Sequence, residues 1–121
     1  MIEIDVPGYR TLRLSHLVLD YNGTLAVDGR MAMGVGDALD ELASRLEVYV
    51  ITADTFGKAA ASLAGVSCRL SILPPGRQDE AKLAYVRELG AESCVCMGNG
   101  RNDRLMLEAA ALGVAVMLAE G

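Results

Sequence analysis

Apolar and polar positions follow two different periods along this chain, and the period switches at regular intervals. Residues 1–15 open with Ile2-Glu3-Ile4-Asp5-Val6, turn at Pro7-Gly8 and continue with Thr11-Leu12-Arg13-Leu14. Two period-two runs around a turn predict a β-hairpin. The run Leu17-Val18-Leu19 then predicts the first strand of a core sheet, at 16–20. Residues 24–33 contain Asp28-Gly29, a hairpin-turn signal, and predict a small flap. Val35, Leu39, Leu42, Ala43 and Leu46 recur at helical spacing, which predicts a helix over 35–46. Val48-Tyr49-Val50-Ile51 reads as a second strand ending at Thr52. Asp54 or Thr55 caps the next helix, which runs to Leu63 and stops at Gly65. A third strand follows at 66–73, then the rigid loop Pro74-Pro75-Gly76 and a helix over 78–89 closed by Gly90. The fourth strand lies at 93–97, followed by Gly98-Asn99-Gly100. Asn102 and Asp103 head a helix to 112, and a fifth strand occupies 114–118.

Strands and helices alternate throughout. This predicts an α/β fold, a Rossmann-like doubly wound parallel sheet covered on both faces. Residues 1–121 make one domain, with 1–15 as a β-hairpin extension. With one Phe, four Tyr and no Trp, the core rests on aliphatic side chains and Met. A formal charge of -5 without a basic stripe argues against a nucleic-acid partner. The first residues lack a signal pattern and no apolar run has the length of a membrane span, so the expectation is a cytoplasmic protein without a membrane partner. Cys68, Cys94 and Cys96 are odd in number, which predicts reduced thiols. A doubly wound domain ordinarily adds a helix after its fifth strand. The sequence leaves open a truncation at that point or a neighbouring subunit over that face.

The predicted strand ends carry the candidate chemistry. Asp20, Asn22 and Thr24 follow the first strand, Thr52 and Asp54 the second, and Asn99, Asn102 and Asp103 the fourth; Lys82 lies near the start of the helix after the third. Parallel strands bring such ends to one edge, where open α/β sheets bind ligands. Each residue alone has a plainer reading. Asp20-Tyr21-Asn22-Gly23 is also a strand end with a turn, Thr52 and Asp54 helix caps, Lys82 a solvated lysine beside Asp79 and Glu80, and Asp103 a first-turn acid suited to the helix dipole.

Taken together, Asp20-Tyr21-Asn22-Gly23-Thr24-Leu25, Thr52-Ala53-Asp54, Lys82 and Gly98-Asn99-Gly100-Arg101-Asn102-Asp103 resemble, in order, the motifs of the haloacid dehalogenase-like hydrolase superfamily. The likeness covers roughly 16–118 and is greatest to the small soluble P-type ATPase-like proteins. It implies a Mg²⁺-dependent phosphatase that acts through a phosphoaspartate on Asp20. Mg²⁺ would be held by Asp20, the backbone carbonyl of Asn22, Asn99 and Asp103. Thr52 would hold the phosphoryl group together with neighbouring backbone N–H groups, within a substrate-binding set of Gly23, Thr24, Thr52, Ala53 and Asn102. Lys82 would offset the negative charge of nucleophile and phosphate.

Two positions depart from the phosphatase pattern that the resemblance supplies. Asn22 stands where an Asp would act as general acid and base, and an amide does neither at neutral pH. Asn99 stands where an Asp would ligate the metal, and its amide oxygen brings no charge. Both point to slow turnover and weaker Mg²⁺ binding. They also sustain an alternative, a catalytically weak phosphate- or nucleotide-binding regulatory protein on the same fold. The stretches 26–51 and 53–81 are too short for an inserted cap domain, which implies an open site for a phosphorylated small molecule or macromolecule, or a homo-oligomer whose neighbours close it.

Overall fold

The computed structural model describes residues 1–27, 30–53 and 57–116. Its centre is a five-stranded parallel sheet of β3 (His16–Asp20), β6 (Glu47–Thr52), β7 (Arg69–Ile72), β8 (Cys94–Gly98) and β9 (Leu112–Ala115), in the order β7-β6-β3-β8-β9. The chain runs from β3 outward through β6 to β7 and then resumes on the other side with β8 and β9, so the order reverses between β3 and β8, and β3 is the central strand. Asp20 is its last residue, so the topology delivers this carboxylate to the switch point of the sheet. An antiparallel hairpin of β1 (Ile2–Val6) and β2 (Arg10–Leu14) precedes it, paired from Ile2↔Leu14 to Val6↔Arg10. The flap is the two-residue pair β4 (Ala26–Val27) and β5 (Arg30–Met31); its Asp28-Gly29 turn lies outside the described residues.

Period-two alternation divides the sheet between two cores. Leu17, Leu19, Val48 and Val50 face one layer, with Leu39 of α1 (Val35–Leu42), Ala59 of α2 (Ala59–Ser62) and the hairpin's Leu12 and Leu14. Val18, Tyr49, Ile51, Cys94 and Cys96 face the other, with Val86 of α3 (Gln78–Leu89) and Met106 of α4 (Arg104–Ala109). Each wholly buried Leu or Val contributes about 1.5–3 kcal/mol. Both faces of β3 are therefore anchored, and Asp20 inherits that rigidity.

Several boundaries differ from the sequence expectation. The helix over 35–46 ends at Leu42. Ser44 and Arg45 then close tighter turns onto Glu41 and Leu42, which keep Leu46 on the buried face although the α-helix has stopped. The expected cap at Asp54 or Thr55 falls outside the described residues, and the helix begins only at Ala59 because Gly57 is in the left-handed region (φ 65°). The third strand begins at Arg69, since the Val66 and Cys68 N–H groups are spent on turns to Leu63 and Val66. The last helix ends at Ala109, where Ala110 becomes extended, and the fifth strand starts at Leu112 instead of 114; residues 117–121 are not described. A short apolar run such as 109–116 fits helix and strand alike by periodicity. The helix over 78–89 and the hairpin stand as expected. Among the described residues no helix is long and apolar enough to cross a membrane.

Candidate active site

Among the described residues, Lys82 is the second largest side chain to be wholly buried, at 2% exposure. It sits in the second turn of α3, and its Nζ donates to Asp103 Oδ1 at 2.7 Å, Asp20 Oδ1 at 2.9 Å and Asn102 Oδ1 at 3.3 Å. Burying an ammonium requires such pairing, because a lone buried charge costs several kcal/mol. The plainer reading of Lys82 as a solvated lysine is excluded by its burial: this one spans from α3 to the end of β3 and the head of α4.

Asp103 is fully buried. Its second oxygen, Oδ2, accepts the backbone N–H groups of Asn99 and Gly100, both at 3.0 Å. It does not line the open cavity. It holds Lys82 with one oxygen and the loop after β8 with the other. Position 98 must be glycine for this to work, since a Cβ there would lie 2.5 Å from the Asp103 carboxylate.

Burial pushes the Asp20 carboxyl above the ordinary carboxylate range. Lys82 pulls it back, Asp103 raises it again, and the backbone N–H of Tyr21 lowers it. Lys82 is shared between two carboxylates, so the three-residue cluster holds one negative charge in excess when all are ionised.

A cavity of about 410 Å³ opens over this cluster, lined by Asp20, Asn22, Thr52, Ala53, Gln78, Lys82, Asn99, Gly100 and Asn102. Of the residues expected in the site, Asp20, Asn22, Thr52, Ala53, Lys82, Asn99 and Asn102 meet there. Gly23 and Thr24 lie outside the lining, Thr24 buried with its hydroxyl unpartnered. Gly23 (φ 82°) serves the site by its lack of a side chain: a Cβ would collide with the Asn99 amide, which packs against it. Gln78 and Gly100 were not anticipated. Gln78 stands one helical turn before Lys82 on the same face of α3, and that i, i+4 spacing was the available signal. Its Nε2 donates to Pro74 O at 2.6 Å and its Oε1 is buried without a hydrogen-bond partner.

The donor chemistry fits a hard divalent cation. One carboxylate, the Asn22 and Asn99 oxygens and the excess negative charge suit Mg²⁺, which prefers oxygen ligands and retains waters. Among the described residues, no three His, Cys, Asp or Glu side chains form a ready-made metal cage. Charge would therefore come from Asp20 with neutral oxygens around it.

No family model matches the chain. It is 46% identical over 39 residues to an uncharacterised protein of Methanocaldococcus jannaschii, covering 32% of this chain and 89% of that one. Among solved structures it is similar to a hypothetical protein of Xanthomonas campestris (27% identity, 86% of this chain, 64% of that chain, TM-score 0.67). It is also similar to a candidate HAD-family hydrolase of Streptomyces avermitilis (22% identity, 80% of this chain, 63% of that chain, TM-score 0.64). A third likeness is to the 3-deoxy-D-manno-octulosonate 8-phosphate phosphatase of Moraxella catarrhalis, solved with magnesium, phosphate and its sugar acid (17% identity, 84% of this chain, 67% of that chain, TM-score 0.68). The chain spans just under two thirds of the length of the first two structures. None of these comparisons bears on the narrower likeness to soluble P-type ATPase-like proteins. The chain thus belongs to one family with the Methanocaldococcus protein over the matched stretch, and its fold is that of the haloacid dehalogenase-like hydrolases.

Proposed function

We propose that this protein is a Mg²⁺-dependent phosphatase of the haloacid dehalogenase-like kind, which transfers a phosphoryl group to Asp20 and releases it slowly. The observation that carries this reading is the buried Asp20–Lys82–Asp103 cluster beneath a polar cavity at the end of the central strand. An Asp20 oxygen attacks phosphorus, the ester or anhydride oxygen departs, and water later displaces the phosphate from the carboxyl. Lys82 offsets the repulsion between carboxylate and phosphate, and Thr52 with backbone N–H groups holds the phosphoryl oxygens. Bound Mg²⁺, held by Asp20 with the oxygens of Asn22 and Asn99, supplies further charge neutralisation. Asp103 serves from behind, by fixing Lys82 and the loop that carries Asn99. Asn22 cannot pass protons to the leaving group or from the water, so hydrolysis of the phosphoaspartate is the slow step. The substrate class is a phosphorylated small molecule, in keeping with the Moraxella phosphatase. The cellular setting we propose is cytoplasmic.

A second reading, a phosphate-binding regulator with little turnover, is favoured by Asn22 in the lining of the cavity. One experiment separates the two. The protein is incubated with acetyl phosphate and Mg²⁺, quenched in acid and weighed intact. A phosphoryl adduct present in the native chain and absent in Asp20→Asn supports the enzyme; no adduct and no released phosphate supports the regulator.

A further inference from the structure

We propose that Asn99 is a site of spontaneous deamidation, and that the aspartate formed adds a carboxylate to the Asp20 cavity. In an Asn-Gly pair the glycine nitrogen attacks the preceding side-chain amide with no Cβ in the way. Asn99 and Gly100 are both exposed at the cavity rim. The Gly100 N–H already donates to Asp103 Oδ2 at 3.0 Å, so a carboxylate sits on the proton that the attack must shed. Asn22-Gly23 is the same dipeptide, with Asn22 in the same cavity wall, and its surroundings differ. Asn22 is half-buried, and the Gly23 N–H donates at 2.6 Å to Ala26 O, a neutral carbonyl that takes no proton. The structure therefore distinguishes the two sites.

The reaction balances with water as the sole co-reactant. The Gly100 nitrogen bonds to Asn99 Cγ, its proton leaves through the Asp103 carboxylate to water, water returns a proton to Nδ2, the Cγ–Nδ2 bond breaks, and ammonia leaves. Water then opens the five-membered imide. Cleavage of the new N–Cγ bond leaves aspartate; cleavage at the main-chain carbonyl leaves isoaspartate. Because the Asn99 side chain packs against Gly23, the aspartate carboxylate stands by the Asn22–Gly23 turn and shares the cavity with Asp20. The excess charge of the site rises from one to two. Ligand charge tunes divalent-cation affinity, so the age of the molecule would set its Mg²⁺ affinity. That last consequence rests on the metal reading proposed above; the deamidation itself does not.

The test uses the full chain, held in heavy-oxygen water at pH 8, digested and mapped by mass spectrometry. The expected result is label at residue 99 accumulating severalfold faster than at Asn22, with aspartate among the products. Gly100→Ala slows it; a Cβ at Gly100 meets nothing nearer than 3.4 Å, so the variant should fold, which a melting curve checks. Calorimetry should find Mg²⁺ bound roughly tenfold more tightly by aged protein and by Asn99→Asp than by fresh protein. The proposal is overturned by label that is absent from residue 99 or no faster there than at Asn22, or by isoaspartate as the sole product; unchanged Mg²⁺ affinity in Asn99→Asp overturns only the consequence drawn for the metal. Failure of the phosphatase reading is separate. It is read from phosphorylation of Asp20 and leaves the label at residue 99 untouched.

Discussion

Lys82 Nζ lies 2.7 Å from Asp103 Oδ1, slightly nearer than the 2.9 Å that separates it from Asp20. The lysine is thus held as firmly by the residue behind the cavity as by the proposed nucleophile. Asp103→Asn keeps an oxygen for Lys82 but turns an amide donor towards the N–H groups of Asn99 and Gly100. Two donors then face a donor. The expected cost is about 1–3 kcal/mol, read from the denaturant midpoint, with faster hydrogen exchange at Asn99 and Gly100. Unchanged exchange at those two amides would show that Asp103 does not hold the loop.

Lys82→Met removes the only cation of the cluster and leaves two buried carboxylates facing each other. Breaking a buried pair by removing one partner typically costs about 3–5 kcal/mol. We expect a loss of that order in unfolding free energy at neutral pH, together with loss of Asp20 phosphorylation. Asp20→Asn in the Lys82→Met background should recover part of the stability, since one of the bare charges is gone. A double variant no more stable than Lys82→Met would contradict the repulsion invoked here.

Asn22→Asp supplies the group able to donate and accept a proton in the cavity. General acid–base help is worth about 10²–10⁴ in rate. The phosphoaspartate lifetime, followed by acid quench after removal of acetyl phosphate, should shorten by a factor in that range. A lifetime unaffected by the change would place the slow step elsewhere.

The sequence made the catalytic edge legible because the chemistry sits on strand ends, and parallel strands carry their ends to one place. Asp20, Thr52 and Asn99 were found in this way, and the bounds of α3 followed from Pro74-Pro75-Gly76 before it and Gly90 after it. What stayed hidden was the depth of each residue. Nothing in the spacing of Asp103 tells that it is buried and faces backwards; that depends on Gly98 leaving room for it. Nor did Gln78 stand out, because a glutamine at a helix start is ordinary until the helix is docked with that turn towards the cavity. The ends of α1 and α4 slipped because turns and strands can extend an apolar stripe begun by a helix.

Gly23→Ala should be costly on two counts. The backbone at φ 82° disfavours any Cβ, by roughly 1–2 kcal/mol, and the new methyl would run into the Asn99 amide. Asn99→Ala clears only the second obstacle. In a double-mutant cycle, Gly23→Ala should therefore cost less in the Asn99→Ala background than in the native one, by about 0.5–3 kcal/mol of coupling. Additive effects would mean that the two residues do not press on each other.

Tyr49 offers a pH test remote from the phosphoryl chemistry. It lies on β6 with its hydroxyl donating to Glu47, its ring against His16 and Tyr85 and the Arg69 guanidinium over its face. Burial, then the hydrogen bond and negative charge of Glu47, push its phenol up to about 12 from the usual 10.0. The folded state thus holds the phenolic proton more tightly than the unfolded chain does. Its contribution to stability is fully present below about pH 10 and is lost as pH rises towards 12. The unfolding midpoint should fall across that window in the native protein, and the fall should be smaller in Tyr49→Phe, which has no proton to lose. Cys94 and Cys96 are also raised, to about 11 and 12, and add to the decline in both proteins. The measured quantity is accordingly the difference between the native and Tyr49→Phe curves. Parallel curves from pH 9 to 12 would show that Tyr49 titrates alike in the folded and unfolded chain.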